Sequence, residues 1–245
     1  VLITPREIEA MTLMMCAMQQ RHPQLPIEIL SRYCAYQIAH QALNTVQLER
    51  FDAWFAEHYT APSDLLDMLP SALLAIQKMG VNGEPFVFMK EHEPLCRMLT
   101  DVLNVREYRL QHPELSRQAQ GLSSVIIEGE SGWGKSACST ASLLKQGYRQ
   151  VDSEHIEKRV GEKVFIRLPA NLSYQMKQDI LIRAFHSGIV VIIDEINASS
   201  MMERLVNGLL SGVDSAGKKA EKPGFVLIGT QNPVSNKGRK AATEA

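Results

Sequence analysis

Three glycines within six positions, followed at once by a lysine and a serine, constrain this chain more than any other feature. The stretch is Gly129-Glu130-Ser131-Gly132-Trp133-Gly134-Lys135-Ser136. Glycine reaches positive φ at little steric cost, so such a loop can turn successive backbone N–H groups inward and make a nest for an anion. The spacing matches G-x-x-x-x-G-K-[ST] at every defined position, the pattern of a loop whose amides cradle a triphosphate such as that of ATP. In that arrangement Lys135 reaches the β- and γ-phosphates and the Ser136 hydroxyl is a ligand for Mg²⁺. The helix that follows points its positive N-terminal end at the same anion. The flanks have the order the motif requires. Ser124-Val125-Ile126-Ile127 is a β-branched run that predicts a strand, and Ala137 to Gln146 predicts a helix.

A second site follows downstream. Ile189-Val190-Val191-Ile192-Ile193 is a continuous apolar run ending in Asp194-Glu195. A strand buried on both faces would carry these carboxylates to the carboxyl edge of a parallel sheet, where the phosphate loop also lies. Asp194 is then placed to hold Mg²⁺ and Glu195 to polarise a water for attack on phosphorus. The next strand, Phe225 to Ile228, runs into Gly229-Thr230-Gln231-Asn232-Pro233 and brings the Asn232 amide to the same edge, where it can orient the attacking water.

The rest of the chain sets limits. Its 245 residues carry a formal net charge of −1, which offers no general attraction to nucleic acid or to an anionic membrane. Cys16, Cys34, Cys96 and Cys138 lie on predicted helices with no C-x-x-C spacing, so neither a zinc site nor a disulfide framework is expected. No apolar run reaches the ~20 residues that span a bilayer. The expectation is a soluble, intracellular or cytoplasmic protein, and a piece of a longer one.

Helical periodicity predicts helices over Arg6–Gln20 (Ile8, Met11, Met15 and Met18 inward, after Thr4 as N-cap), Pro26–Leu43 (Ile27, Leu30, Cys34, Ile38) and Val46–His58 (Leu48, Phe51, Phe55). A further helix from Leu65 to Met79 must break or kink at Pro70. The turn formers from Gly80 to Pro85 place a domain boundary there, giving an all-α domain over 1–80 and a nucleotide-binding core over 81–245. In the second part a short strand at Phe86–Met89 precedes a helix at Glu93–Leu110 that His112-Pro113 ends. Strand and helix then alternate: Val164–Leu168, Tyr174–His186, Ile189–Ile193, Ser199–Leu210, Phe225–Ile228. That alternation predicts an α/β fold, a mostly parallel sheet with helices on both faces. Gly212–Pro223 reads as a solvated loop or hairpin tip.

With these motifs together the chain resembles AAA+ ATPases, P-loop NTPases, and within them the branch of MoxR proteins, midasin and dynein. The likeness runs from about Phe86 to the end. Gly129–Ser136 stands as Walker A, Ile189–Glu195 as Walker B and Asn232 as the sensor-1 residue. Asn171–Gln175, Met202–Leu205 and Gly238-Arg239-Lys240 are also similar to midasin. The resemblance implies a Mg²⁺-dependent ATPase module that works with neighbouring modules, in cis or as a ring, to remodel a protein substrate. It further implies a last core strand, an arginine finger and a lid beyond Ala245. Residues 1–80 are then either the lid of a preceding module, with Arg6 as its sensor-2 arginine, or an unrelated helical domain. A non-hydrolysing, structural module of a tandem array is the alternative function. A GTPase is not expected, because Asn236-Lys237-Gly238-Arg239 has arginine where a guanine reader needs aspartate.

Overall fold

In the computed structural model the described residues are 4–41, 43–72, 80–81, 84–85, 88–115, 120–154, 156–159, 161–198 and 200–233. Several expectations lie outside them: the helix beyond Ala72, Asn82 and Gly83 of the turn cluster, Phe86 and Val87, Ser199, and everything after Pro233, Arg239 included. The chain forms two compact units, 1–71 and 72–245, so the division falls ahead of the turn cluster at 80–85.

The first unit is all helical: α1 (Pro5–Arg21), α2 (Ile27–Gln41), α3 (Thr45–His58) and the short α4 (Pro62–Asp67). Thr4 is the extended N-cap of α1, with Pro5 in the first turn and the Glu7 carboxylate accepting from the Thr4 amide. Asn44 and Gln47 cap α3 reciprocally, at 3.0 and 3.1 Å. The buried stripe of α1 is Leu13, Met14, Ala17 and Met18, whereas Ile8 is exposed, as is Ile27 on α2. Packing against α2 buries Met18, as periodicity expects, together with Leu13, Met14 and Ala17 of the adjoining stripe, and leaves Met11 and Met15 half-buried. Leu30, Tyr33, Cys34 and Ile38 are buried, as are Phe51 and Phe55, which pack their rings against Tyr36. The helix expected from Leu65 instead begins at Pro62 and ends at Asp67, two residues before Leu69-Pro70, because the residue before a proline is disfavoured in the α region. An open apolar groove of about 840 Å³ runs along this unit, lined by Phe51, Trp54, Phe55 and Tyr59 among others.

The second unit is an α/β layer structure. Two short antiparallel strands, β1 (Gly80–Val81) and β2 (Glu84–Pro85), precede α5 (Glu93–Gln111). Phe88 and Met89 are not strand; they lead into a 3-10 turn at Lys90–His92 that enters α5 directly. The five-stranded sheet comprises β3 (Ser124–Glu128), β4 (Arg149–Gln150), β5 (Val164–Leu168), β6 (Val190–Ile193) and β7 (Val226–Gln231), in the order β3-β7-β6-β5-β4. Every pairing is parallel.

Helices cover both faces, as the βα alternation requires. On one face α5 and α6 (Lys135–Lys145) pack Leu99, Leu103 and Leu143 against Val125, Phe165, Ile192 and Ile228. On the other, α7 (Tyr174–Ser187) and α8 (Ser200–Leu210) pack Leu181, Phe185, Leu205 and Leu209 against Ile166, Val191, Ile193 and Leu227. All four residues of β6 are buried, which is why its sequence is an unbroken apolar run rather than an alternation. Among the described residues no helix is long and apolar enough to cross a membrane.

Candidate functional site

The registers decide what meets at the carboxyl edge of the sheet. Arg167 of β5 lies level with Ile192 of β6, and Ile193 lies level with Gly229 of β7. Asp194 is therefore level with Thr230, which in turn pairs with Ile127 of β3. Side chains alternate between faces with period two, so Arg167, Asp194 and Thr230 all follow residues of the face covered by α5 and α6. The same face holds the start of α6, with Lys135 and Ser136 in its first turn.

The contacts follow from that placement. The Ser136 hydroxyl donates to Asp194 Oδ1 at 2.6 Å, and Thr230 donates to the same oxygen at 3.3 Å. The Arg167 guanidinium donates two N–H groups to Oδ2, at 2.9 and 3.1 Å. Lys135 Nζ donates to the carbonyls of Gly129 and Glu130 at 2.5 and 2.8 Å and to Asn232 Oδ1 at 3.1 Å. Its three donors thus bridge both ends of the loop and the end of β7. Burial holds the Lys135 ammonium below the usual lysine range, with the charges of Asp194 and Glu195 pulling the other way. Asn197 donates to the Asn232 carbonyl at 3.5 Å, and the Gly129 amide bonds the Gln231 carbonyl at 3.3 Å.

Within the loop Gly132 and Gly134 take φ of 88° and 74°, and Gly134 is the left-handed N-cap of α6. Gly129 is not in that region, so its freedom of φ is unused. Trp133 is exposed at 58%. Its carbonyl accepts from His92 Nε2 at 3.2 Å, and because His92 Nδ1 accepts the Met89 amide at 2.9 Å, the proton sits on Nε2. Glu195 is the one non-glycine residue described with positive φ, at 57°. Its backbone leaves the strand in the left-handed region, where a side chain with Cβ costs about 1–2 kcal/mol.

All the residues expected to bear chemistry therefore fall in one neighbourhood: the loop Gly129–Ser136, Asp194 and Glu195 after β6, and Asn232 after β7. The structure adds Arg167, Thr230 and His92, which sequence reasoning passed over. Arg167 had a signal, a lone cation inside the apolar run Val-Phe-Ile-Arg-Leu. Thr230 and His92 had none, since only register and packing bring them to the loop.

The donor set suits a hard divalent cation. Ser136 and Asp194 offer a hydroxyl and a carboxylate oxygen on one side of the site, in keeping with Mg²⁺, which takes one or two protein oxygens and completes its shell with phosphate and water. Among the described residues no group of three or more His, Cys, Asp or Glu side chains could hold a metal without such help. Cys34, Cys96 and Cys138 are buried and Cys16 is half-buried, and none of the four forms a disulfide. Compared with family models and with curated proteins, the chain matches none.

Proposed function

We propose that this chain is an ATP-binding module of AAA+ type that hydrolyses ATP in concert with neighbouring modules. The observation that carries the reading is the meeting, at one sheet edge, of a glycine loop with its lysine and serine, a carboxylate bonded to that serine, and an amide bonded to that lysine.

In this reading the loop amides and the start of α6 receive the β- and γ-phosphates. Lys135 exchanges its bonds to the Gly129 and Glu130 carbonyls for phosphate oxygens while Asn232 keeps it aimed. Ser136 and Asp194 would hold Mg²⁺, which would supply positive charge to the phosphates. Glu195 accepts a proton from the attacking water, and Asn232 orients that water. Described cations at this edge are Lys135 and Arg167, and Arg167 is committed to Asp194. The positive charge that phosphoryl transfer needs on the γ-phosphate then comes in trans, from an arginine of an adjacent module, which is worth ~10³–10⁵ in rate. Remodelling of a protein partner is the work such a cycle would drive.

The test is a calorimetric titration with ATP and with GTP, each with Mg²⁺ and with chelator, followed by steady-state turnover across a wide range of protein concentration. Mg²⁺-enhanced binding of ATP, with slow turnover that rises only when copies are brought together, is expected. No ATP binding would overturn the reading, and fast turnover by a dilute monomer would overturn its trans-acting arginine.

A further inference from the structure

We propose that Arg167 is a positioning residue for the divalent cation, pinning one oxygen of Asp194 so that the other is presented beside Ser136. The inference rests on the ATP-binding reading of the same site and names a part of it that no motif contains.

A carboxylate has about four lone-pair positions, and all four of Asp194 are engaged. The division between its oxygens is what matters. Among the described residues Oδ2 receives only the guanidinium, at 2.9 and 3.1 Å, while Oδ1 receives only hydroxyls, from Ser136 at 2.6 Å and Thr230 at 3.3 Å. Two guanidinium N–H groups converge on the single atom Oδ2, and such charge-assisted bonds are about twice as strong as neutral ones, so Arg167 anchors that oxygen and leaves Oδ1 to the hydroxyls. With Oδ2 held from β5 and Oδ1 bonded to Ser136 of α6, the carboxylate is anchored at both of its oxygens.

A cation held by Oδ1 and the Ser136 hydroxyl would use the oxygen that Arg167 does not touch, so the guanidinium contact could persist beside it. Ser136 would then offer its hydroxyl oxygen to the cation in place of the hydrogen bond it donates to Asp194. Arg167 is well placed to keep its grip, since its side chain is one-third exposed and that of Asp194 only 15%. It stands on β5 level with Ile192, two residues before Asp194 on the neighbouring strand, and it leans along the sheet to reach it. Partners that orient a metal-ligating carboxylate in this way typically contribute 10–100-fold to metal affinity.

The experiment compares wild type with Arg167→Met and Arg167→Lys by ATP titration, once with chelator and once with saturating Mg²⁺, and by direct counting of bound Mn²⁺ from its paramagnetic resonance in the presence of ATP. Melting temperature is followed in parallel. Arg167→Met is expected to bind metal-free ATP within about twofold of wild type while its Mg²⁺ enhancement and Mn²⁺ affinity fall by about 10–100-fold. Arg167→Lys retains the charge without the fork and should recover only part of the loss.

A metal enhancement equal to wild type overturns the proposal. An enhancement larger than wild type also overturns it and makes Arg167 a competitor of the metal. A parallel fall with and without metal would mean that the residue merely supports the fold, and would overturn it too. Wild-type protein that binds no ATP at all removes the functional reading itself, an outcome distinct from these and visible before any variant is made.

Discussion

Lys135 Nζ lies 3.1 Å from Oδ1 of Asn232, although 97 positions separate the two residues. The contact joins the glycine loop to the end of the neighbouring strand and helps hold the lysine's charge beside that loop. Lys135→Ala should weaken ATP binding by roughly 100-fold, the upper range for a hydrogen bond to a charged group. Asn232→Ala should cost far less in affinity but lower turnover, since the amide aims groups rather than carrying charge. Calorimetry on both variants checks this, and an unchanged affinity in Lys135→Ala would remove the phosphate-loop assignment.

Glu195 joins the carboxylate proposed here as general base to a left-handed backbone at φ 57°. Glu195→Gln should leave ATP affinity intact and lower assembled turnover by about 10²-fold or more, the usual contribution of a general base. Glu195→Gly relieves the strained backbone and should raise stability by up to about 1 kcal/mol while losing the same activity. Denaturant unfolding alongside the activity assay separates the two effects; a glycine variant less stable than wild type would show that the strain assignment is wrong.

At the opposite, amino edge of the sheet, Arg106 is 1% exposed and gathers the segments that enter four strands. It donates to the carbonyls of Gly224 at 2.7 Å, Gly188 at 3.0 Å and Glu162 at 3.5 Å, and to the Tyr148 hydroxyl at 3.0 Å. Removing it strands several buried acceptors at once, so Arg106→Ala should cost about 3 kcal/mol or more in unfolding free energy, with Arg106→Lys recovering little of the fork. Gly188→Ala tests the same corner from the other side. Its φ is +67° and an added Cβ would stand 1.9 Å from the Pro223 carbonyl oxygen, so a loss of about 2–3 kcal/mol is expected. Wild-type midpoints in urea for either variant would refute this account.

Asp214 fixes the 212–223 hairpin to α7. Its carboxylate meets His186 Nε2 at 3.0 Å and accepts the amides of Ala216 and Lys218, both at 2.8 Å. The His186 hydrogen bond first, then the backbone amides, hold the Asp214 carboxyl below its ordinary value of 3.8. A depressed carboxyl contributes stability that is present above the unfolded value and is lost as pH falls through the folded one. The stability gap between wild type and Asp214→Asn should therefore be full at pH 5–7 and shrink below about pH 3.8. Melting curves across that range check it; a gap that widens with acid would reverse the sign and exclude the mechanism.

The hairpin also marks a boundary of what can be read from residues in line. Gly212–Pro223 looks like a solvated tip, and most of it is, yet Asp214 inside it is nearly buried because α7 supplies a histidine from a distant part of the chain. Arg106 is similar. It continues the helical stripe Leu99, Val102, Leu103, so its position on the core face was legible, but the carbonyls that make a buried guanidinium tolerable come from three other segments.

By itself the sequence determined most of the local elements of the second unit and the left-handed positions of its glycine loop. β5 spans the predicted residues, β6 and α7 match to within a residue, and the loop's left-handed positions at 132 and 134 are glycines for steric reasons that act within a few bonds. Short-range sterics and period-two or 3.6-residue burial are written in neighbouring residues. Tertiary structure alone decided which apolar stripe of α1 is buried, that Phe88 and Met89 lead into a turn rather than a strand, and which side chains surround Asp194. Those outcomes depend on strand register, and a shift of one residue would turn Arg167, Asp194 and Thr230 to the other face of the sheet. Register is set by the sum of packing on both faces of five strands, which no single stretch of the chain encodes.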